Sequence, residues 1–117
     1  MISVKHRNTI ETWSKPGSWI VFSQDTASYN FTTAATKAYG DNQKQVNYSP
    51  VRYAFFGGDI NQDGTLDASD LSSVENAAQD GLSGYIISDV TGDDYVDAAD
   101  LSLVENNVTT GVSAVIP

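Results

Sequence analysis

The chain has 117 residues, of which 40% are hydrophobic and 18% charged, the composition of a small folded domain. It contains no cysteine, which excludes disulfides, zinc–thiolate sites and iron–sulfur clusters. The net charge is −9, and no run of apolar residues is long enough for a helix that crosses a membrane.

The charge is unevenly distributed along the chain. All six basic residues precede residue 53, whereas twelve of the fifteen acidic residues lie from Asp59 onward. Residues 1–58 therefore carry +3 and residues 59–117 carry −12. A segment this acidic repels nucleic acid and also repels itself, so bound metal cations are the simplest way to neutralise it.

The first part of the chain, residues 1–57, has the pattern of antiparallel strands. β-Branched and aromatic residues alternate with polar ones, and Gly, Pro, Asn and Asp separate the runs. The predicted strands are residues 2–6, 9–13, 18–22, 28–32 and 51–56. Residues 33–46 fit either a short helical turn or a loop. A closed β-sandwich uses about seven strands, so this part is predicted to be an incomplete, sandwich-like sheet.

The shortage of strands leaves two ways to complete the sheet. Either the apolar tail, residues 112–116, completes it within its own chain, or strands are exchanged between chains. The candidate donor strands for an exchange are residues 1–7 and 112–116. An exchange that runs head to tail and does not close builds a filament.

The second part, residues 58–117, contains a repeat with an offset of 30 residues. Eleven residues between Asp59 and Gly81 recur identically between Asp89 and Gly111, which indicates a duplication. Each copy has the spacing of an EF-hand-type Ca²⁺ loop, with oxygen ligands at loop positions 1, 3, 5, 7, 9 and 12. The predicted ligands are Asp59, Asn61, Asp63, the Thr65 carbonyl, Asp67 and Asp70, and then Asp89, Thr91, Asp93, the Tyr95 carbonyl, Asp97 and Asp100.

Electrostatic repulsion argues that these loops hold metal. Two carboxylates about 5 Å apart repel by roughly 3 kcal/mol at an effective dielectric constant near 20, so four in one loop cost on the order of 10–20 kcal/mol. A small domain has only about 5–15 kcal/mol of net stability. We therefore expect two Ca²⁺ ions to be part of the fold, because many flexible oxygen ligands favour Ca²⁺ over Mg²⁺ and transition metals.

A helix is predicted after each loop, with Gly81 and Gly111 as its stops. The residues expected on the buried faces of the two helices are Leu71, Val74 and Ala78, and Leu101, Val104 and Val108. Leu66 and Val96, at loop position 8, are predicted to form a short β-bridge between the loops.

The two sites are predicted to differ in affinity. Gly64 makes the sharp turn at position 6 of the first loop, but Asp94 takes that position in the second and must adopt a left-handed backbone. Thr91 is also a poorer ligand than Asn61. The second site is therefore predicted to bind Ca²⁺ more weakly.

The paired loops, each with aspartate at position 12 and a following helix, resemble type I dockerin repeats. Residues 4–14, 38–42 and 58–64 are similar to a C-terminal module of large secreted bacterial surface proteins, in which a β-sandwich precedes dockerin-like loops. The resemblance implies an α+β fold, export to a calcium-rich exterior, and further strands upstream of residue 4. Cohesin binding of the familiar kind is not expected, because Ala68-Ser69 and Ala98-Ala99 replace the Ser-Thr-like pairs of cellulosomal dockerins.

The chain is expected to be non-catalytic, since His6 is its single histidine and most carboxylates are assigned to metal. The expected function is that of a calcium-stabilised structural module at the cell surface that assembles with itself into a fibre. The alternative is a docking module that binds a cohesin-like or other surface receptor.

Two further possibilities concern sugars. Four aromatic residues could form a sugar-stacking platform, although aromatics on short strands are more often core residues: Trp13, Trp19, Tyr53 and Phe55. Four triplets resemble glycosylation motifs, with acceptor residues Asn30, Asn47, Asn107 and Thr26.

Overall fold

The computed structural model describes residues 1–18 and 20–117. The described residues form six short antiparallel strands and two α-helices, which confirms the α+β class. They divide into two compact units. Unit 1 comprises Met1–Val4, Glu11–Phe55 and Val115–Pro117, and unit 2 comprises Lys5–Ile10 and Phe56–Ala114.

The chain thus passes between the units at four places rather than at one boundary near residue 57. Residues 5–10 bring two cations, Lys5 and Arg7, into the acidic unit 2, so its net charge is −10. The remaining charges give unit 1 a net charge of +1.

The strands of unit 1 pair as three antiparallel hairpin-like sheets of two strands each. In chain order the pairs are β1 (Ser3–Val4) with β2 (Thr12–Trp13), β3 (Val21–Ser23) with β4 (Thr26–Ser28), and β5 (Lys44–Tyr48) with β6 (Val51–Ala54). The register of the last pair shifts between Gln45 and Asn47. The incomplete, sandwich-like sheet therefore stays a prediction.

The predicted strand at residues 28–32 is wrong beyond Ser28, where β4 ends. The side-chain oxygen of Asn30 accepts hydrogen bonds from the backbone N–H and the hydroxyl of Thr32, at 2.9 and 2.8 Å. Such an Asx turn bends the chain away from an extended course. Residues 33–46 form two short 3₁₀ turns, Ala35–Lys37 and Tyr39–Asp41, and then enter β5.

Strand β5 was not predicted, because its Lys-Gln-Val-Asn-Tyr sequence has no apolar alternation strong enough to mark a strand. The predicted strand at residues 18–22 includes Trp19, which lies outside the described residues.

Of the predicted tail strand, residues 112–114 belong to unit 2, and Val115–Pro117 pack in unit 1 without adding a strand to its sheets. A Cβ placed on Gly40 would lie 2.7 Å from Cγ1 of Val115, so the tail needs glycine at this point. Gly40 also has φ +67°, a left-handed value that favours glycine.

In unit 2 the two predicted helices are confirmed as α1 (Ala68–Gln79) and α2 (Ala98–Thr110). Gly81 ends α1 in a Schellman arrangement, since its N–H bonds to the Ala78 carbonyl and the N–H of Leu82 bonds to the Ala77 carbonyl. Gly111 caps α2 with a left-handed backbone. Both predicted stops are therefore in place.

The core of unit 2 is formed by the predicted helix faces. Val74 and Val104 are fully buried, and Leu71, Ala78, Leu101 and Val108 pack around this core. Asn107 lies at the position equivalent to Ala77 and is buried, with its side-chain nitrogen donating to the Gly57 carbonyl at 2.8 Å. Because that nitrogen is enclosed, Asn107 is not a glycan acceptor in the folded chain.

The predicted bridge between the two loops is wrong. Thr65 of the first loop pairs with Ser113, after α2, and Tyr95 of the second loop pairs with Ser83, after α1. Equivalent backbone bonds join Leu66 to Val112 at 2.9 Å and Val96 to Leu82 at 3.1 Å. The loop of each repeat is therefore bonded to the segment that follows the helix of the other repeat, and these bonds join the two loop–helix copies.

Candidate metal centre

The carboxylates at loop position 12 are fully buried and organise both loops in the same way. One oxygen of Asp70 accepts from the backbone N–H groups of Ile60 and Asn61 at 2.7 and 3.2 Å, and the other accepts from Asp67 at 3.1 Å. Asp100 makes the equivalent bonds to residues 90, 91 and 97, each at 2.9 Å. These bonds fix the start of each loop against the first turn of its helix.

In the first loop, the carboxylate of Asp59 is buried but only partly hydrogen-bonded. The residue is 3% exposed, and its Oδ2 accepts from the Gly64 backbone at 3.1 Å. Its Oδ1 is buried and has no hydrogen-bond partner among the described residues. A buried carboxylate oxygen without a partner costs a few kcal/mol, and a cation placed beside it would remove that cost.

The second loop brings three carboxylates together. One oxygen atom from each of Asp89, Asp93 and Asp100 lies within 4.8 Å of the other two. Thr91 lies beside this group, and its hydroxyl is 3.0 Å from Oδ1 of Asp100. Carboxylate and hydroxyl oxygens are ligands that Ca²⁺ accepts.

The other predicted ligands lie at the edge of each loop. Asn61 and Asp63 are exposed and bonded to each other, with Nδ2 of Asn61 3.0 Å from Oδ2 of Asp63. In the bridge between Thr65 and Ser113, the hydrogen bonds of the first loop are made by residues 64 and 66. The carbonyl of Thr65 itself therefore points away from Ser113. The Tyr95 carbonyl is in the equivalent position, because its bridge uses residues 94 and 96.

Asp67 and Asp97, at position 9, are the N-caps of the helices. Each accepts a 2.8 Å hydrogen bond from the backbone two residues later, at Ser69 and at Ala99. Hydrogen bonds from the Ser69 hydroxyl and backbone lower the pKa of Asp67. Both residues therefore have a structural role apart from any metal.

Each loop has one non-glycine residue with a left-handed backbone, whereas the prediction placed this strain in the second loop alone. Asp94 has φ +73°, the left-handed value expected of it, but the first loop carries the same strain at Gln62, with φ +59°. Gly92 takes the position of Gln62 in the second loop, as Gly64 takes that of Asp94 in the first. The prediction of a weaker second site therefore depends only on Thr91.

The pKa values of the two position-1 residues move in opposite directions. Burial raises the pKa of Asp59, and the nearby charges of Asp70 and Asp63 add to that rise. Burial also acts to raise the pKa of Asp89, but the backbone N–H groups of residues 92–94 and the charge of Arg7 outweigh it and lower the pKa. The second loop thus has a cation that the first loop lacks at this position.

Sequence reasoning missed the segment Lys5–Ile10, which packs against both loops. Arg7 donates to the carbonyls of Ile86 and Asp89, and its guanidinium lies 4.1 Å from the centre of the Tyr85 ring. Gln62 of the first loop donates to the backbone carbonyls of His6 and Arg7, at 3.0 and 2.5 Å. The repeat gives no signal for this segment, because it lies outside the duplicated residues.

Three of the four aromatic residues considered for sugar stacking lie among the described residues. Tyr53 and Phe55 line a cavity of unit 1, whereas the ring nitrogen of Trp13 is buried. Trp19 lies outside the described residues. The glycosylation candidates Asn30, Asn47 and Thr26 are exposed.

The predicted side-chain ligands of both loops fit a hard divalent cation, since each offers an oxygen atom and one of these oxygens is buried with no hydrogen-bond partner among the described residues. No protein-family model, curated protein or solved structure matches this chain.

None of the described helices is long and apolar enough to cross a membrane.

Proposed function

We propose that this chain is a non-catalytic, calcium-stabilised module that works outside the cell and assembles with further copies of itself. The observation that carries the calcium assignment is the buried Oδ1 of Asp59, at position 1 of an acidic loop, which has no hydrogen-bond partner in the described part of the chain. The carboxylates of Asp89, Asp93 and Asp100 support a second ion in the duplicated loop.

The charge of unit 2 also supports this proposal. Its net charge is −10, and Arg7 reaches only the entrance of the second loop. Two Ca²⁺ ions would reduce the charge to −6 and relieve the repulsion between neighbouring carboxylates. Millimolar Ca²⁺ outside cells is enough to fill sites of moderate affinity. We therefore place the module outside the cell, on the basis of its acidic loops and their dockerin-like spacing.

The assembly part of the proposal is supported by unit 1. Its described strands form separate pairs, and the outer edge of a pair is a place where a further strand can add, except at positions already bonded, such as Tyr53, whose N–H donates to the Thr32 carbonyl. Several of its large apolar side chains are exposed, namely Met1, Val21, Phe22, Val46, Tyr48, Val51 and Ile116.

Calcium titration tests the first part of the proposal. Calorimetry on chelator-treated protein should detect two ions per chain, and the melting temperature should be higher in millimolar Ca²⁺ than in EDTA. Equal melting temperatures in the two buffers would rule out a structural role for the ion.

Sedimentation over a range of concentrations in Ca²⁺ tests the second part, with growth of species larger than a monomer as the expected result. A monomer at every concentration, together with capture of a surface receptor, would favour the docking alternative instead.

A further inference from the structure

Unit 1 has an open cavity of about 230 Å³ beside β6, lined by Phe31, Thr32, Gln43, Tyr53, Ala54 and Phe55. The lining is mostly apolar, and the rings of Phe31 and Phe55 meet edge to face with their centres 5.1 Å apart. Gln43 contributes the single carboxamide of the lining. It is 7% exposed, and neither its Oε1 nor its Nε2 has a hydrogen-bond partner among the described residues.

The amide of Gln43, to which no described residue bonds, specifies the chemistry of a ligand. An unsatisfied buried donor or acceptor costs about 1–3 kcal/mol, so a ligand that pairs with both ends of the amide gains most. A peptide group offers one acceptor and one donor. A sugar ring would bring several hydroxyls to a cavity with a single carboxamide, whereas an apolar side chain suits the rest of the lining. The cavity therefore fits an apolar residue together with its own peptide group.

The chain itself carries such a residue on the β3–β4 hairpin. All six residues of these two strands are exposed, and Phe22 and Val21 are 75% and 62% exposed. A two-stranded hairpin alone is marginally stable in water, so one with an exposed aromatic ring gains from packing on another surface.

Charge favours a contact between copies through these two features. Asp25 is the only charged residue in the β3–β4 hairpin, residues 21–28, whereas the β5–β6 hairpin next to the cavity carries Lys44 and Arg52 and no acidic residue. The net charge of +1 on unit 1 also permits close approach of two copies, while −10 on unit 2 opposes it.

We propose that the cavity of one copy receives Phe22 from the β3–β4 hairpin of a second copy, and that the amide of Gln43, buried in the single copy, turns to bond a hairpin peptide group. This inference rests on the proposed self-assembly and names its contact. The segments predicted as donors from sequence are engaged in their own chain, because Ser3–Val4 pairs with Thr12–Trp13 and Val115 packs on Gly40.

Disulfide trapping tests the contact directly, since the chain has no cysteine of its own. Chains with Ala27→Cys, the exposed cross-strand partner of Phe22, and chains with Thr32→Cys, at the cavity rim, are mixed in Ca²⁺ under mild oxidation. The crosslinked heterodimer should form about tenfold faster than in a control mixture of Ile116→Cys with Thr32→Cys. Ile116 is a matched control because it is 63% exposed and apolar. Equal rates in the two mixtures would overturn the proposed contact.

Sedimentation velocity separates this inference from the wider proposal. Phe22→Ser and Gln43→Leu should each weaken self-association about tenfold or more, and the double variant should lose little beyond either single variant. Ile116→Ser should associate like the wild type, and all variants should still bind two Ca²⁺ ions. Association that is unchanged in both cavity-contact variants overturns this contact alone. A wild-type chain that stays monomeric overturns self-assembly as well.

Discussion

The guanidinium of Arg7 donates a 3.2 Å hydrogen bond to the carbonyl oxygen of Asp89, a residue 82 positions later in the chain. Asp89 is the first residue of the second acidic loop, and the side chain of Asn8 donates to the same carbonyl at 3.1 Å. A segment far from the repeat in sequence therefore holds the entrance of one of its loops. It also supplies the positive charge that the repeat lacks.

Arg7→Gln should destabilise the protein by about 1–3 kcal/mol, because it removes hydrogen bonds from a charged donor and the stacking on Tyr85. Urea unfolding in saturating Ca²⁺ measures the effect. Arg52→Gln is the matched control, since Arg52 is exposed and donates to the carbonyl of its neighbour Val51. Equal effects of the two substitutions would show that Arg7 contributes nothing specific.

Asp59→Asn should remove one of the two calcium ions, since a neutral amide replaces the charged ligand at position 1 of the first loop. In Ca²⁺ at about 100 times the dissociation constant, the lost ion corresponds to about 2.7 kcal/mol of stability. In EDTA the variant should be as stable as the wild type or more so, because the repulsion from Asp63 and Asp70 is gone. Calorimetry and thermal melting provide both measurements.

The control for Asp59→Asn is Asp80→Asn, at the exposed end of α1 and outside both loops. It should keep two ions and change stability by no more than about 0.5 kcal/mol. A loss of stability for Asp59→Asn that is the same with and without Ca²⁺ would contradict the ligand role.

Substitution by glycine at the two strained loop residues should have opposite effects. Asp94→Gly should stabilise the chain by about 0.5–1 kcal/mol, since glycine adopts the left-handed backbone without a steric cost. Gln62→Gly relieves the same strain but loses the hydrogen bonds to His6 and Arg7, so it should be destabilising by about 1 kcal/mol. Chemical denaturation in Ca²⁺ compares them, and two changes of the same sign would refute this explanation.

Gly58→Ala should destabilise unit 2 by about 1–3 kcal/mol. Gly58 has φ +114°, and an added Cβ would lie 3.2 Å from Cγ2 of the buried Val104. Gly57→Ala is the neighbouring control, because its φ is ordinary and its nearest contact would be Leu103 at 3.5 Å. Thermal melting of both variants tests the difference, and similar melting temperatures would mean that Val104 gives way at little cost.

Local patterns predicted the parts of the molecule that depend on neighbouring residues. The helices after each loop were predicted from apolar spacing and from the stops at Gly81 and Gly111, and the N-caps that the structure adds at Asp67 and Asp97 act over the same few residues. The strand at Lys44–Tyr48 escaped prediction because it is defined by pairing with Val51–Ala54 rather than by its own composition.

The sequence by itself determined the duplicated acidic loops, their spacing and the helices that follow, because a repeat and a capping pattern are written in consecutive residues. Only the tertiary structure decided that each loop pairs with the segment after the helix of the other repeat. It also decided that Arg7 donates a hydrogen bond to the carbonyl of Asp89, at the start of the second loop. It also placed Gln43 at an apolar cavity, with an amide that no residue outside position 19 satisfies. Contacts between distant segments depend on how the whole chain packs, and no local pattern encodes that packing.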